Sequence, residues 1–262
     1  MSLQCTDISV SYGRRQALQA LTLSVQKGEV LALIGPNGSG KSTALHALAG
    51  LTRPDSGSVV LDGRALASWR RRDLAKRLSF LPQAPIAPEE MSVEQLVRQG
   101  RFAHVGLWRA YGPRDQAAID WALDSTGLTD LAGRGLRELS GGERQRAWIA
   151  AALAQEAEIL ILDEPTSFLD IGHQVEVLEL VGRLSRDRGV TVILAIHDLN
   201  QAMMAADRII LLDRGRLSFE GPAGPLAASG LIEKTFNVQG RFVDLGNGAA
   251  PHFDVDLRRG RS

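Results

Sequence analysis

Nine consecutive residues, Gly35-Pro36-Asn37-Gly38-Ser39-Gly40-Lys41-Ser42-Thr43, have the types and spacing to hold a phosphate chain. Glycines in the pattern Gly, four residues, Gly-Lys-Ser let successive backbone N–H groups turn inward as a concave anion site. A helix opening at the end of such a loop adds its positive terminus. Lys41 is placed to reach the β- and γ-phosphates of a nucleotide, and the Ser42 hydroxyl to ligate magnesium. A chance glycine-rich turn would lack the flanking pattern. Here an all-apolar run, residues 30–34, precedes the loop, and a helix period begins near Lys41.

A second apolar run, residues 159–162, ends in Asp163 and Glu164. A strand that delivers two carboxylates can place one near a metal and leave the other to orient and deprotonate a water molecule. Asp163 suits the first role, directly or through water, and Glu164 the second. Alone, such a strand end could equally be solvated; beside a phosphate loop it gains meaning. A third segment, Leu139-Ser140-Gly141-Gly142-Glu143, exposes a hydroxyl and backbone N–H groups ahead of a helix that runs to Ala154. That is another anion-binding helix end, although it is also an ordinary serine cap. Two such ends in one chain exceed the needs of one nucleotide.

The elements that must position these residues follow from the alternation of short apolar runs with helix-period segments, which reads as an α/β domain with a mainly parallel sheet. Residues 3–10 and 18–25 look like antiparallel strands joined through Tyr12 and Gly13. Pro54-Asp55-Ser56-Gly57 reads as a turn, with strands at 58–61, 78–81, 190–196 and 208–212. From 85 to 154 the pattern is helical. The expected organisation is a nucleotide-binding core, 1–84 and 155–229, with an inserted helical lobe, 85–154. A small C-terminal appendage, 230–262, lies within a Gly- and Pro-rich end that begins near Gly215.

With 262 residues, 44% hydrophobic residues and 30 basic against 30 acidic side chains, the chain can build a large core and carries no basic excess for nucleic acid. The single cysteine, Cys5, excludes an intrachain disulfide and fits a reducing compartment. No signal-peptide pattern and no membrane-spanning run is present, so a membrane process would need other chains to cross the bilayer. His46 and His252 lie outside any metal-ligand spacing, and nothing assigns chemistry to His104 or His173. Trp69, Trp108, Trp121 and Trp148 read as core or interface aromatics, and Arg70-Arg71-Arg72 as a solvated helix start.

Taken together, the motifs resemble the ATP-binding subunit of ABC transporters from about Leu3 to at least Leu226. The family implies a P-loop NTPase core with an N-terminal antiparallel β region and an inserted helical lobe. It also implies ATP and magnesium as ligands, and a head-to-tail dimer with a second copy. In that dimer Ser140, Gly141 and Gly142 would cap the ATP held by the partner's phosphate loop. Tyr12 resembles the aromatic that stacks on adenine. Gln83 resembles the glutamine that contacts magnesium and water and links the site to the membrane subunits. His197 resembles the switch histidine at the γ-phosphate. Ser167-Phe168-Leu169-Asp170 resembles the segment that communicates across the dimer, with phenylalanine where the family commonly has alanine.

Three stretches, from Met91 to Arg101, Asp170 to Leu178 and His197 to Ala202, resemble importers for iron chelates, haem and cobalamin. Ser68-Trp69 and the region from Gly106 to Gly112 look most like the ferric hydroxamate branch. The resemblance implies integral-membrane permease partners and, indirectly, a substrate-binding protein. It places the chain at the cytoplasmic face of the inner membrane and makes the isolated chain a weak or unregulated ATPase, mainly monomeric without nucleotide. Haem or cobalamin import and export remain alternatives within the family. A soluble ABC ATPase acting on nucleic acid or the ribosome would usually carry two cassettes or a long coiled coil. A small-molecule kinase would have no use for residues 139–143.

Overall fold

The computed structural model describes residues 2–106, 110–246 and 248–256. In chain order the first elements are β1 (Leu3–Tyr12), β2 (Arg15–Val25), β3 (Val30–Ile34), α1 (Lys41–Leu48), β4 (Ser56–Leu61), β5 (Arg64–Ala65), α2 (Arg71–Leu74) and β6 (Leu78–Leu81). A helical stretch follows: α3 (Val93–Gln99), α4 (Phe102–Val105), α5 (Pro113–Ser125) and α6 (Gly141–Ala154). Then come β7 (Ile159–Asp163), α7 (Ile171–Arg188), β8 (Thr191–Ala195), α8 (Leu199–Ala205), β9 (Arg208–Asp213) and β10 (Arg216–Gly221). The end holds α9 (Ala223–Ala227), α10 (Leu231–Phe236), β11 (Gly240–Val243) and β12 (His252–Val255). The chain forms two compact units, one from the residues up to 67 and from 193 onward, the other from 68 to 192.

In the first unit, β1 and β2 form an antiparallel hairpin that continues through β4 and β5. A second sheet runs β10-β9-β3 to the closing half of β8, with β3 and β9 parallel and β9 and β10 antiparallel. All five residues of β3 are buried, as an uninterrupted apolar run requires. Asp207 holds the start of this strand, its Oδ2 accepting from Val30 N at 2.8 Å. One expectation needs correction. The turn at 54–57 gives way to strand two residues early, because Gly57, at φ 76°, faces an irregularity in β1. A side chain there would meet the carbonyls of Thr6 and Asp7 at 2.4 Å. Residues 216–221, at the start of the Gly- and Pro-rich end, form sheet and pair with β9 as β10.

The C-terminal hairpin of β11 and β12 belongs to the same unit and packs on α8. Asn200 reads the backbone of Phe253 with both ends of its amide: Oδ1 accepts from Phe253 N at 2.7 Å and Nδ2 donates to Phe253 O at 3.3 Å. The Phe253 ring meets Phe242 at 4.9 Å between centroids. Residues 257–262 of the expected appendage, like Leu107, Trp108 and Arg109 of the region likened to the hydroxamate branch, lie outside the described residues.

In the second unit β6 and β7 pair in parallel, and Thr191 N at the head of β8 donates to Glu158 O just before β7. Helices α3, α5 and α6 pack together, with Leu96, Val97, Ile119, Ala122, Ile149 and Ala150 essentially buried. The pivot of this helical stretch is an ion, not an apolar residue. Arg101 is 1% exposed, and both Nε (3.2 Å) and Nη2 (3.1 Å) donate to Asp115 Oδ1. Its Nη1 donates to Ala154 O and to Glu156, each at 2.7 Å. Asp115 in turn accepts from Gly112 N at the head of α5.

Replacing Arg101 by alanine strands the buried Asp115, and breaking a buried pair in this way costs about 3–5 kcal/mol. Urea denaturation of Arg101→Ala should show that loss, with recovery in the double variant Arg101→Met/Asp115→Leu. A cost below about 1 kcal/mol, the range of an exposed ion pair, would contradict this role. Arg72, expected to be solvated, instead donates to the carbonyls of Ala103 (2.8 Å) and His104 (2.9 Å) and so closes the end of α4.

Candidate nucleotide site

The loop from Gly35 to Gly40 leaves the buried end of β3 and enters α1 at Lys41. Its glycines are demanded by close approach as well as by backbone freedom. A methyl group on Gly35 (φ 146°) would lie 2.2 Å from Leu212 O, and one on Gly40 (φ 104°) 2.6 Å from Ala17 O. Lys41 is buried, and its Nζ donates to Gly35 O at 2.7 Å and Pro36 O at 3.2 Å. The loop is thus folded around its own ammonium group. Ser39 Oγ is buried and has no hydrogen-bond partner among the described residues, which is costly unless something else satisfies it. A concave glycine loop, an internal cation and an orphaned hydroxyl together fit a phosphate group.

Arg15 belongs to this site and was not anticipated. It pairs with Tyr12 across the first hairpin, and its Nη2 donates to Gly38 O at 3.2 Å. Tyr12 is about half exposed at the end of β1, free to offer a ring face. His197 follows the closing end of β8, where Ile196 N donates to Leu33 O at 3.1 Å. The strand that carries the phosphate loop and the strand that carries His197 are therefore neighbours within the first unit. Immediately afterwards Asp198 caps α8, accepting from Gln201 N at 2.9 Å.

In the second unit β7 ends in buried Asp163 and Glu164. Glu164 sits at φ 54°, a left-handed conformation that costs a non-glycine residue about 1–3 kcal/mol and is held only by its surroundings. Those surroundings are polar: Gln83 Nε2 donates to Glu164 Oε2, and Ser167 Oγ donates to the same oxygen at 3.1 Å. A carboxylate fixed in this way at a strand end is aimed rather than merely present. No cluster of three or more metal-binding side chains exists among the described residues. The buried Asp163 carboxylate is a hard oxygen donor of the kind magnesium takes, one or two from protein with phosphates and water completing the shell.

Ser140 caps α6 in a reciprocal box: its Oγ accepts from Glu143 N at 3.2 Å, and Glu143 Oε2 accepts from Ser140 N at 2.8 Å. The bond from Ser140 N, then that with the Ser140 side chain, holds the Glu143 carboxyl below its ordinary range. Gly141 is exposed and Gly142 buried. Asp170 caps α7 and is held below the ordinary carboxylate range, first by His173 N–H and then by the His173 side chain. Phe168 is 91% exposed and Ile171 80% exposed. The phenylalanine that departs from the family pattern therefore disturbs no internal packing.

A glycine-rich phosphate loop between a buried strand and a helix, in an α/β fold with a mainly parallel sheet, defines a P-loop nucleotide hydrolase. Residues 18–167 match the family model described as ABC transporter. The iron(3+)-hydroxamate import ATP-binding protein of Bacillus subtilis is 40% identical, with 92% of this chain and 90% of that protein aligned. A petrobactin import ATP-binding protein of Bacillus anthracis is 41% identical over 95% of this chain and 90% of its own. The ferric enterobactin transport ATP-binding protein of Escherichia coli is 38% identical over 92% and 89%. Among solved structures, a chain described as belonging to a metal-chelate type ABC transporter in an inward-facing conformation superposes with a TM-score of 0.85. It is 30% identical, and 98% of each chain is covered. This chain belongs to the ABC transporter family. It is an ATP-binding, ATP-hydrolysing subunit of that family.

Proposed function

We propose that this chain powers the import of ferric siderophores, of the hydroxamate type, by closing on ATP with a second copy of itself. The carrying observation for the chemistry is Glu164, buried at the end of β7 in a strained backbone and gripped by Gln83 and Ser167. Glu164 takes a proton from the attacking water, and His197 steadies the γ-phosphate. The backbone of Gly35 to Thr43 and Lys41 bind the phosphates of ATP, and Tyr12 stacks on adenine. Ser42, Asp163 and Gln83 hold magnesium, which neutralises phosphate charge when bound. Ser140 to Gly142 complete the site of the second copy, and Asp170 faces it. The exposed side chains of Phe168 and Ile171 give that meeting an apolar contact.

No helix among the described residues is long and apolar enough to cross a membrane. The permease is a separate partner of this chain, a reading supported by relatives named as ATP-binding proteins of import and transport systems. The lobe at 85–154 receives it. A groove of about 590 Å³ bordered by Arg71, Arg72, Gln99, Phe102 and Ala103, with Phe102 58% exposed, offers a helix of the permease an apolar seat. The chain then sits at the cytoplasmic face of the membrane, and the substrate-binding protein acts on the permease rather than on this chain.

Siderophore import rests on relatives named as importers of iron chelates, aligned nearly end to end. The hydroxamate assignment rests on the likeness at Ser68-Trp69. The test is uptake of radiolabelled iron presented as a ferric hydroxamate by cells lacking this chain. Uptake should fail in such cells and return with the intact chain, but not with Glu164→Gln. Undiminished uptake of ferric hydroxamates, with loss of another substrate, would overturn the assignment.

A further inference from the structure

We infer that His173 is a positioning residue for the segment Ser140–Gly142, locking it to Asp170 so that both surfaces meet the second copy as one block. The inference rests on the proposal that these residues complete the neighbour's site, and it adds a residue that the chemistry described above does not use. The His173 imidazole lies where a side chain on residue 142 would be. A methyl group on Gly142 would stand 2.1 Å from its Cδ2 and 2.3 Å from its Cγ. Gly141, one residue earlier, has open space around the same position. Gly142 is therefore glycine for a reason internal to the chain: it admits the ring.

The ring is itself held. Asp170 Oδ1 accepts from His173 N at 2.9 Å and lies 2.8 Å from His173 Nδ1, so one carboxylate oxygen caps α7 and orients the imidazole. One turn further along both helices, Arg146 of α6 is paired with Glu176 of α7. The two helices are thus joined by two rungs, and the first connects Asp170 to the backbone of Gly142 with no flexible element between. Any push on Asp170 from a neighbouring chain reaches the 140–142 segment through the imidazole.

Ordinary helix packing would give the same contacts, and the two readings differ in which site suffers when the ring is removed. The experiment uses the assembled transporter with two differently tagged copies of this chain, so that only one site can hydrolyse. In the first arrangement His173→Ala is on one copy and Glu164→Gln on the other. The hydrolysing site then receives residues 140–142 from a copy with His173 intact. In the second arrangement both substitutions are on one copy, and the hydrolysing site receives residues 140–142 from the altered copy.

The second arrangement should turn over about 10- to 100-fold more slowly than the first, the scale of a misplaced group outside the chemistry. The KM for ATP should stay within about twofold, because the copy that binds the nucleotide is intact. Equal rates in the two arrangements, whether both normal or both reduced, would overturn the inference and leave His173 a packing residue. Ser140→Arg, tested in the same two arrangements, separates the two levels. Asymmetry for Ser140→Arg without asymmetry for His173→Ala defeats only the role of His173. Symmetry for both defeats the shared-site reading beneath it.

Discussion

Glu164→Gln in this chain should lower the ATPase turnover about 10²- to 10⁴-fold, the range attributed to a positioned general base, while ATP affinity stays near normal. The expectation comes from how the carboxylate is held. Gln83 and Ser167 both donate to Oε2, which fixes the carboxylate just past the end of the strand. Glutamine keeps the size of the side chain and the buried strand end but cannot accept a proton at neutral pH. Single-turnover hydrolysis and equilibrium nucleotide binding, measured on the same preparation, separate the two effects. Near-normal turnover in the variant would remove Glu164 from catalysis. A parallel collapse of binding would mean that the substitution had disturbed the site instead.

Lys41→Ala should produce the opposite pattern, a loss that appears first in binding. The ammonium group is buried, and the loop folds its carbonyls around it at Gly35 and Pro36. Removing it deletes a charge-assisted contact with the phosphates, which is worth about 1.5–3 kcal/mol, or roughly 10- to 100-fold in affinity. It also takes from those two carbonyls the ammonium group they accept from. Isothermal titration with ATP in the presence of magnesium measures the loss directly. Unchanged affinity would contradict the phosphate-loop assignment, whatever happened to the rate.

Much of the site is legible in the sequence because its parts are local. The phosphate loop is nine consecutive residues, and the run before it, Val30–Ile34, forms the fully buried strand that an all-apolar pattern implies. The second apolar run likewise ends at Asp163, with Glu164 next. The serine cap at Ser140 follows the ordinary rule that such residues precede helices. Each of these readings needs only neighbours in the chain.

What stayed hidden depends on contacts between distant segments. Arg15 matters because a hairpin aims it at Gly38, 23 residues away. His173 gains its place only when α7 lies against α6, and the arginine at 101 finds Asp115 and Glu156 only after three helices have packed. Gly57 was misread as turn because nothing in a Pro-Asp-Ser-Gly string reveals an irregular strand across from it. The last hairpin escaped notice for a related reason. Its strands are four residues each, and a tie to the unit is the amide of Asn200, on a helix 53 residues before Phe253.

The central claim is that ATP joins two copies of this chain into the species that hydrolyses it. Light scattering of Glu164→Gln after size-exclusion chromatography, with and without ATP and magnesium, tests it most directly. The expected result is the mass of one chain without nucleotide and of two chains with it, with ATP retained in the larger species. ATP retained by a species of single-chain mass would contradict the account.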